Sequence, residues 1–327
     1  MWPLVALAIA LLANLIFTPG FFHVEVRDGR LFGSLIDIVN RAVPVLLLAM
    51  GMTLVIATGG VDLSVGAVMA ITGAVAACLI ARPTDSFVGH MHVDSLAVII
   101  VISLVVAAAC GLINGVLVGR VGVQPIVATL LLMVAGRGVA QLITNGQIVT
   151  FTDKSFSNFG SGAFLGLPIP VWVFVAFALM VSLLARRTTW GGSIEAVGNN
   201  ASASRLVGIN ASRIKTSVYV LCALGAGIAG LLTTADIKGA DANNAGQYLE
   251  LDAILAVCVG GTSMAGGRFT LTGTMVGALL MQTVTTTILT RGISAEATFI
   301  LKALVVIGVC LLQSPTMRGR FARRSLA

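Results

Sequence analysis

The side chains able to carry chemistry in this 327-residue chain are few, and the informative ones fall within or at the start of apolar runs: Asp37, Asn40 and Arg41 together, then Asp62, Asn114, Arg137, Asp236, Asp252 and Lys302. Polar and ionisable groups in such runs suit ion binding, proton relay or a polar solute path, and otherwise serve as interfacial anchors or internal pairs. The stretch "TGGVDLSVGA" (58–67) poses the sharpest case. A carboxylate protease of the membrane interior needs Gly-x-Gly before its aspartate, but Val61 holds the second glycine's place and no tyrosine precedes another such aspartate. The alternative is a helix start: Gly59 and Gly60 let the chain turn, and Asp62 and Ser64 offer oxygens to the free N–H groups of a first turn. His90, His92 and Asp94 make a conceivable metal clamp, yet a surface pair in a loop is the better reading, so no metal site is expected.

Other motifs fail on context. "GAGIAG" (225–230) matches a dinucleotide fingerprint, but it lies inside an apolar run with no strand before it, which points to close helix packing. The four-residue spacings Gly111, Gly115, Gly119 and Gly273, Gly277 read the same way. No Gly-Lys dipeptide occurs, so a Walker A loop is absent and any ATP is hydrolysed by a partner. Cys78, Cys110, Cys222, Cys258 and Cys310 all fall in apolar runs without a C-x-x-C pair, as small buried hydrophobes do.

The elements that position these groups follow from composition. The chain is 57% hydrophobic and 10% charged with mean hydropathy +1.02, against about 25% charged in ordinary soluble domains. It reads as an all-α integral membrane protein, a single transmembrane domain over 1–327. About ten spans are expected, near 2–18, 36–58, 63–81, 95–119, 122–144, 168–186, 216–236, 251–264, 270–290 and 296–313, the eighth of them short. "MWPLVALAIALLANLIF" lacks a basic leader and a cleavage site and is expected to remain as the first span. The net charge of +7 sits in short loops without interleaved aromatics, which argues against nucleic acid.

With both termini cytoplasmic, the inner segments collect eleven of the twenty Lys and Arg residues: Arg120, Arg186, Arg187, Arg205, Arg213, Lys215, Arg268, Arg318, Arg320, Arg323 and Arg324. The longest inner connection, Arg186 to Lys215, is rich in small polar residues. Ala196, Val197, Leu206, Val207 and Ile209 there suggest short amphipathic helices broken at "GNN", a shape suited to docking on another protein. An internal echo pairs "ATGGVDLSVGAVMAITG" (57–73) with "CVGGTSMAGGRFTLTG" (258–273), and both repeat and coincidence remain open. Only 6% of residues are aromatic, so a polar solute is expected to be held weakly, as conduction requires.

The stretches "NRAVPVLLLAMGMTLVIATGGVDLSVGAVMAI" (40–71), "VGVQPIVATLLLMVAGRGVAQLITNGQ" (121–147), "IEAVGNNASASRLVGINASRIK" (194–215), "LCALGAGIAGLL" (221–232) and "GADANNAGQYLELDAILAVCVGGTSMAGGRFTLTGTMVGALL" (239–280) resemble permease subunits of bacterial ABC sugar importers of the ribose, xylose and galactose group. "DGRLFGSLIDIVNRA" and "ADANNAGQYLELDAILAV" are most similar to the galactofuranose permeases within it. The resemblance implies a fold similar to the vitamin B12 importer permease, with the pathway between two subunits. It further implies a multi-pass protein of the bacterial inner membrane that moves a galactofuranose-, galactose- or ribose-like monosaccharide by alternating access. Such a subunit is not itself an enzyme and binds no cofactor directly. ATP and Mg stay on a partner ABC ATPase, a tandem cassette, and the other partners are a second permease copy or paralogue, a periplasmic sugar-binding protein and membrane lipid.

By the same resemblance the cytoplasmic coupling segment, about 187–215, contacts the ATPase through Glu195, Ala196, Gly198, Asn199, Arg205, Gly208, Ile209 and Asn210. The helix-junction and gating positions are Gly59, Gly60, Asp62, Ser64, Gly66, Gly260, Gly261, Gly266 and Gly267, and Asn40, Asn114 and Asp252 are pathway candidates. Two departures from the family stand out: the start at Met1-Trp2 without a polar leader, and the loop "RPTDSFVGHMHVDS" (82–95). The rival class is an ion-coupled secondary carrier with Asp62 or Asp252 as the coupling carboxylate.

Overall fold

Apolar runs of seventeen to twenty-seven residues with few charges form helices because only a helix satisfies every backbone group within its own segment. In the computed structural model, which describes residues 2–17, 20–27, 29–84, 86, 88–91 and 93–313, such helices occupy the expected segments to within a few residues. Arg318, Arg320, Arg323, Arg324 and His92 lie outside the described residues. The order is α1 (Trp2–Phe17), α2 (Ser34–Ala57), α3 (Val65–Ala81), α4 (Leu96–Val116), α5 (Pro125–Ile143), α6 (Lys154–Ser161), α7 (Ile169–Arg187), α8 (Thr189–Asn199), α9 (Ala201–Leu206), α10 (Ala211–Ile237), α11 (Leu249–Val259), α12 (Leu271–Thr290) and α13 (Ala295–Gln313). By length and composition, α2, α4 with its extension to Val121, α5, α7 and α10 are long and apolar enough to cross a membrane. Short antiparallel ribbons join loops at the end opposite α8 and α9: β1 (Glu25–Arg27) with β2 (Arg30–Phe32), β3 (Val149–Thr150) with β6 (Gly239–Ala240), and β4 (Ala163–Phe164) with β5 (Leu167–Pro168). The helix α6 has no counterpart in the apolar pattern.

The centre of the bundle is α2 and α10, each buried along most of its length. Their approach is set by small residues. A Cβ on Gly225 would press on the Leu47 carbonyl, one on Gly227 on Ala107, and one on Gly230 on Met69, so "GAGIAG" packs α10 onto α2, α4 and α3. From the other side, Gly111, Gly115 and Gly119 of α4 lie on Tyr219, Thr216 and Ser212 of α10. In lipid, where tails are as apolar as leucine, such close backbone contact is the main source of helix association. The outward faces of α4, α5 and α7 carry exposed aliphatic side chains, among them Val101, Val105, Leu131, Val134, Leu142, Leu179 and Leu183. Those faces form an apolar girdle.

Two interruptions break the regular pattern. The end of α4 widens into a π turn, Leu117–Val121, closed by Gly122 in the left-handed region and by the Val123 N–H bonded to the Leu117 carbonyl. The helix α11 has only 11 residues, about 16 Å, half of what a span needs. Its other half is replaced by the irregular segment 241–248, which descends from β6 into the bundle until Gly246 rests on Gly66. Non-helical backbone at that depth needs donors from the protein. Arg137 of α5 supplies them, donating to the carbonyls of Ala242 (3.1 Å) and Ala245 (2.6 Å). At the segment's start Asp241 accepts from the N–H groups of Asn243 and Asn244, and the Asn244 side chain holds its carboxyl below the usual carboxylate range.

Gly115→Leu is expected to wedge α4 off α10 and to lower thermal stability of the detergent-purified protein by about 1–3 kcal/mol, the usual penalty of overpacking. Gly138→Leu on α5, where an added Cβ meets nothing, is expected to leave the melting temperature unchanged.

Candidate functional site

At the end of the bundle that carries α8 and α9, three stretches of backbone meet with no side chain between them. The Gly267 N–H donates to the Ala57 carbonyl at 2.9 Å. A Cβ on Gly198 of α8 would collide with that same carbonyl, and one on Gly266 would sit 3.0 Å from the Gly198 carbonyl and 3.1 Å from the Gly59 nitrogen. Gly59, Gly266 and Gly267 have φ of +78, +90 and +93, values natural only to glycine. The structure thus brings together two groups that the sequence kept apart: the junction glycines 59, 266 and 267, and Gly198 and Asn199 of the loop 187–215.

Both junctions end a helix in one way. After α2, Gly59 N–H bonds to the Ile56 carbonyl and Gly60 N–H to Val55; after α11, Gly261 N–H bonds to Cys258 and Thr262 N–H to Val257. Each is a Schellman motif with a left-handed glycine one place past the cap. The geometric equivalence pairs Gly59 with Gly261, one residue out of step with the Gly-Gly alignment read from the sequence. Gly260 is in the right-handed region and lies on Gly273, which closes α11 onto α12.

Asp62 follows the first junction, 1% exposed. Its Oδ1 accepts from the Ser64 N–H (2.9 Å) and from the Ser64 hydroxyl (2.6 Å), and Ser64 Oγ accepts from Asn114 Nδ2 (2.9 Å). The expected capping is corrected here. Ser64 is the N-cap of α3, yet its side chain makes no cap bond, because the hydroxyl is committed to Asp62. Asp62 instead folds the turn that delivers the chain to α3. Its Oδ2 and Asn114 Oδ1 are buried without partners among the described residues. Tyr219, fully buried, occupies the space beside Gly60, where a Cβ would stand 2.6 Å from its hydroxyl. Gly66 is held against Gly246 and Glu250 at the start of α11.

The remaining pathway candidates separate. Asp252 of α11 is bonded to Lys302 of α13 at 2.7 Å, both largely covered, so the pair is internally neutral. Asn114 belongs to the Asp62 chain. Asn40 lines a cavity of about 570 Å³ at the opposite end of the bundle, a size common for ligand pockets. The first turns of α2 contribute Ser34, Asp37, Asn40, Arg41 and Pro44; the last turns of α12 contribute Gln282, Thr285, Thr286 and Thr290; α10 adds Thr233 and Asp236. Ten of the sixteen lining residues are polar. Among the described residues Asp37, Arg41 and Asp236 form no ion pair, and Asn40 Oδ1 is buried without a partner. Pro44 removes the helical donor to the Asn40 carbonyl, freeing one more acceptor. Thr285 and Thr290 bond back to carbonyls four residues earlier, which leaves their oxygens able to accept. The threonine face was not singled out from the sequence, although Gln282, Thr285, Thr286, Leu289 and Thr290 fall at helical spacing.

In the loop 187–215, Glu195, Ala196, Gly198 and Asn199 lie on α8 and Arg205 on α9, with Gly208, Ile209 and Asn210 in the turn before α10. Asn210 caps α10 by accepting from the Arg213 N–H (3.0 Å), and Asn200 caps α9. Ile194 and Val197 are buried as an amphipathic α8 requires, but Leu206 and Val207 are 89% and 76% exposed rather than packed inward.

An apolar girdle around a cavity lined largely by polar residues, with glycine junctions at the far end, is the build of a multi-pass membrane protein. The chain matches the family described as "Branched-chain amino acid transport system / permease component" over residues 34–310, and it belongs to that family. It is 52% identical to the galactofuranose transporter permease protein of Escherichia coli K12 over 318 residues, 96% of this chain and 90% of that one. It is 39% identical to the fructose import permease protein of Bifidobacterium longum (97% and 88% of the two chains) and 37% identical to the ribose import permease protein of Escherichia coli K12 (95% and 92%). No solved structure matches it.

Asp62→Asn keeps the Oδ1 acceptor and places an amide where the carboxylate has a partnerless oxygen; its melting temperature is expected to equal the parent's. Asp62→Leu orphans the Ser64 N–H and hydroxyl at about 1–3 kcal/mol for each group, so a clear drop in thermal stability is expected in the same assay. A drop as large for Asn would show that the negative charge itself is required.

Proposed function

We propose that the chain is the permease subunit of an ATP-binding-cassette importer that carries a monosaccharide across the bacterial inner membrane by alternating access. The observation that carries this is the 52% identity, across nearly the whole chain, to a protein named for galactofuranose transport. The family description names branched-chain amino acids instead, and the cavity favours the sugar. Two acids, one arginine, two amides and several hydroxyls line it beside Val43, Pro44, Pro170, Leu232 and Leu289, a mixture that matches the hydroxyl groups and the C–H faces of a sugar ring. A galactofuranose-like sugar is the first choice, with galactose and ribose next.

In this reading about ten helices span, in a fold similar to the vitamin B12 importer permease, and the end with α8 and α9 and both termini are cytoplasmic, a choice supported by the positive charge of that end. The cavity then opens to the periplasm, where a binding protein releases the sugar, and each subunit of a permease pair receives it there before passing it to the pathway between subunits. Exposed Leu206 and Val207, with Arg205 beside them, dock a tandem-cassette ATPase that holds the ATP and Mg. The subunit performs no covalent chemistry itself. Because Gly198 of α8 lies directly on Ala57 at the end of α2 and on Gly267 in the turn that leads to α12, a push on α8 moves both junctions together. Asp252 is neutralised by Lys302, which counts against the ion-coupled carrier.

The test is uptake into proteoliposomes holding the permease, its ATPase and its binding protein. Arg205→Glu is expected to insert normally, hydrolyse ATP and import nothing; import at the parental rate would overturn the coupling role. Asp37→Ala is expected to cut sugar uptake at least tenfold while leaving basal ATP hydrolysis intact. Competition by leucine rather than by the monosaccharide would overturn the sugar assignment.

A further inference from the structure

Beside the junction, at the same end of the bundle, lies a smaller pocket of about 270 Å³ between the π turn, the start of α5, α9 and the start of α10. Three cations line it, Arg120, Arg205 and Lys215, and no acidic residue does. Among the described residues none of the three is ion-paired. Ser212 Oγ, also in the lining, is buried without a hydrogen-bond partner. The 27-residue helix α10 begins here, and Asn210 Oδ1 caps only the Arg213 N–H, which leaves the first-turn N–H groups of Ala211 and Ser212 without intrahelical partners. Positive side chains, an unused hydroxyl and a helix N-terminus all favour one kind of occupant, an anionic oxygen group such as a phosphate.

The surroundings decide which phosphate. The pocket's rim is apolar and exposed: Val121 is 65% exposed, and Ile126 and Val127 are 44% and 45% exposed at the foot of α5. The apolar surface continues along the outward faces of α4 and α5 through Ile113, Leu131 and Val134. A soluble phosphate has no use for such a rim, whereas acyl chains would lie along it. We propose that this pocket binds the phosphate headgroup of an anionic phospholipid, held by Arg120, Lys215 and Ser212, with its tails on the α4 and α5 face. Basic pockets between helices at a membrane surface hold anionic headgroups in this way. The site is independent of which solute is carried.

Because Arg205 also stands in the docking segment, the test uses the other two cations. Full-length permease in detergent is titrated with phosphatidylglycerol and with phosphatidylcholine of the same acyl chains, and bound lipid is counted by native mass spectrometry. The parent is expected to retain phosphatidylglycerol at least thirty-fold more tightly. Each surface cation is worth about 1 kcal/mol to an anionic lipid, so R120Q/K215Q is expected to weaken phosphatidylglycerol about thirty-fold and leave phosphatidylcholine unchanged. Should the double variant not fold, Lys215→Gln read against Lys215→Arg decides: the first loses about fivefold and the second nothing. Equal retention of the two lipids by the parent, parental affinity in the glutamine variants, or displacement of phosphatidylglycerol by millimolar inorganic phosphate would each overturn the proposal.

Discussion

The organising contact is the hydrogen bond from the Gly267 N–H to the Ala57 carbonyl, made where α8 crosses with Gly198 against the same oxygen. It exists because Gly198 and Gly266 bring no Cβ to the crossing, where one on Gly198 would collide with the Ala57 carbonyl, and because Gly59 supplies the left-handed turn beside it. Backbone contact of this kind is stiff: there is no rotamer to yield, so displacement of one segment must be shared by the others or break the bond. The Schellman ends of α2 and α11 feed into this contact. Their glycines therefore set the direction of the two following helices, α3 and α12.

Much of the fold was legible in the sequence because hydrophobic length dictates span, and the ends of α2, α3 and α7 fall within two residues of the uncharged windows. The weakness of α11 was visible too, as a run too short to cross. Other features were hidden for physical reasons. The Thr-rich end of α12 is polar only on one face, and a window average blurs a face into its surroundings. Leu206 and Val207 carry the apolar pattern of a short amphipathic helix, but which way such a face points depends on what packs against it, and here both are exposed. Ser64 has the right type and place for a cap, yet side-chain competition from Asp62 decided its bond, and such choices depend on neighbours in space.

Charge is distributed with a clear division of labour. Arg137 spends its guanidinium on two carbonyls of the 241–248 segment, so an arginine inside a span here secures irregular backbone. The charges of the large cavity, by contrast, are left without an ion pair among the described residues. Asp62 stands between these cases: one oxygen organises a turn and the other has no protein partner. A single buried aspartate can thus be mainly architectural, and its burial away from the cavity, at 1% exposure, distinguishes it from the acids that line the cavity.

The ion pair between Asp252 and Lys302 has a consequence for biogenesis. Lys302 sits near the middle of α13, and a lysine at the centre of an isolated helix costs roughly 2.5–3.5 kcal/mol on entry into the bilayer. Its neutralising partner is on α11, fifty residues earlier, and so has already left the ribosome when α13 emerges. In the proposed ten-span reading α13 is therefore a conditional guest: it would settle in the membrane once α11 is in position to receive it, and placement of the short helix would be a checkpoint in assembly.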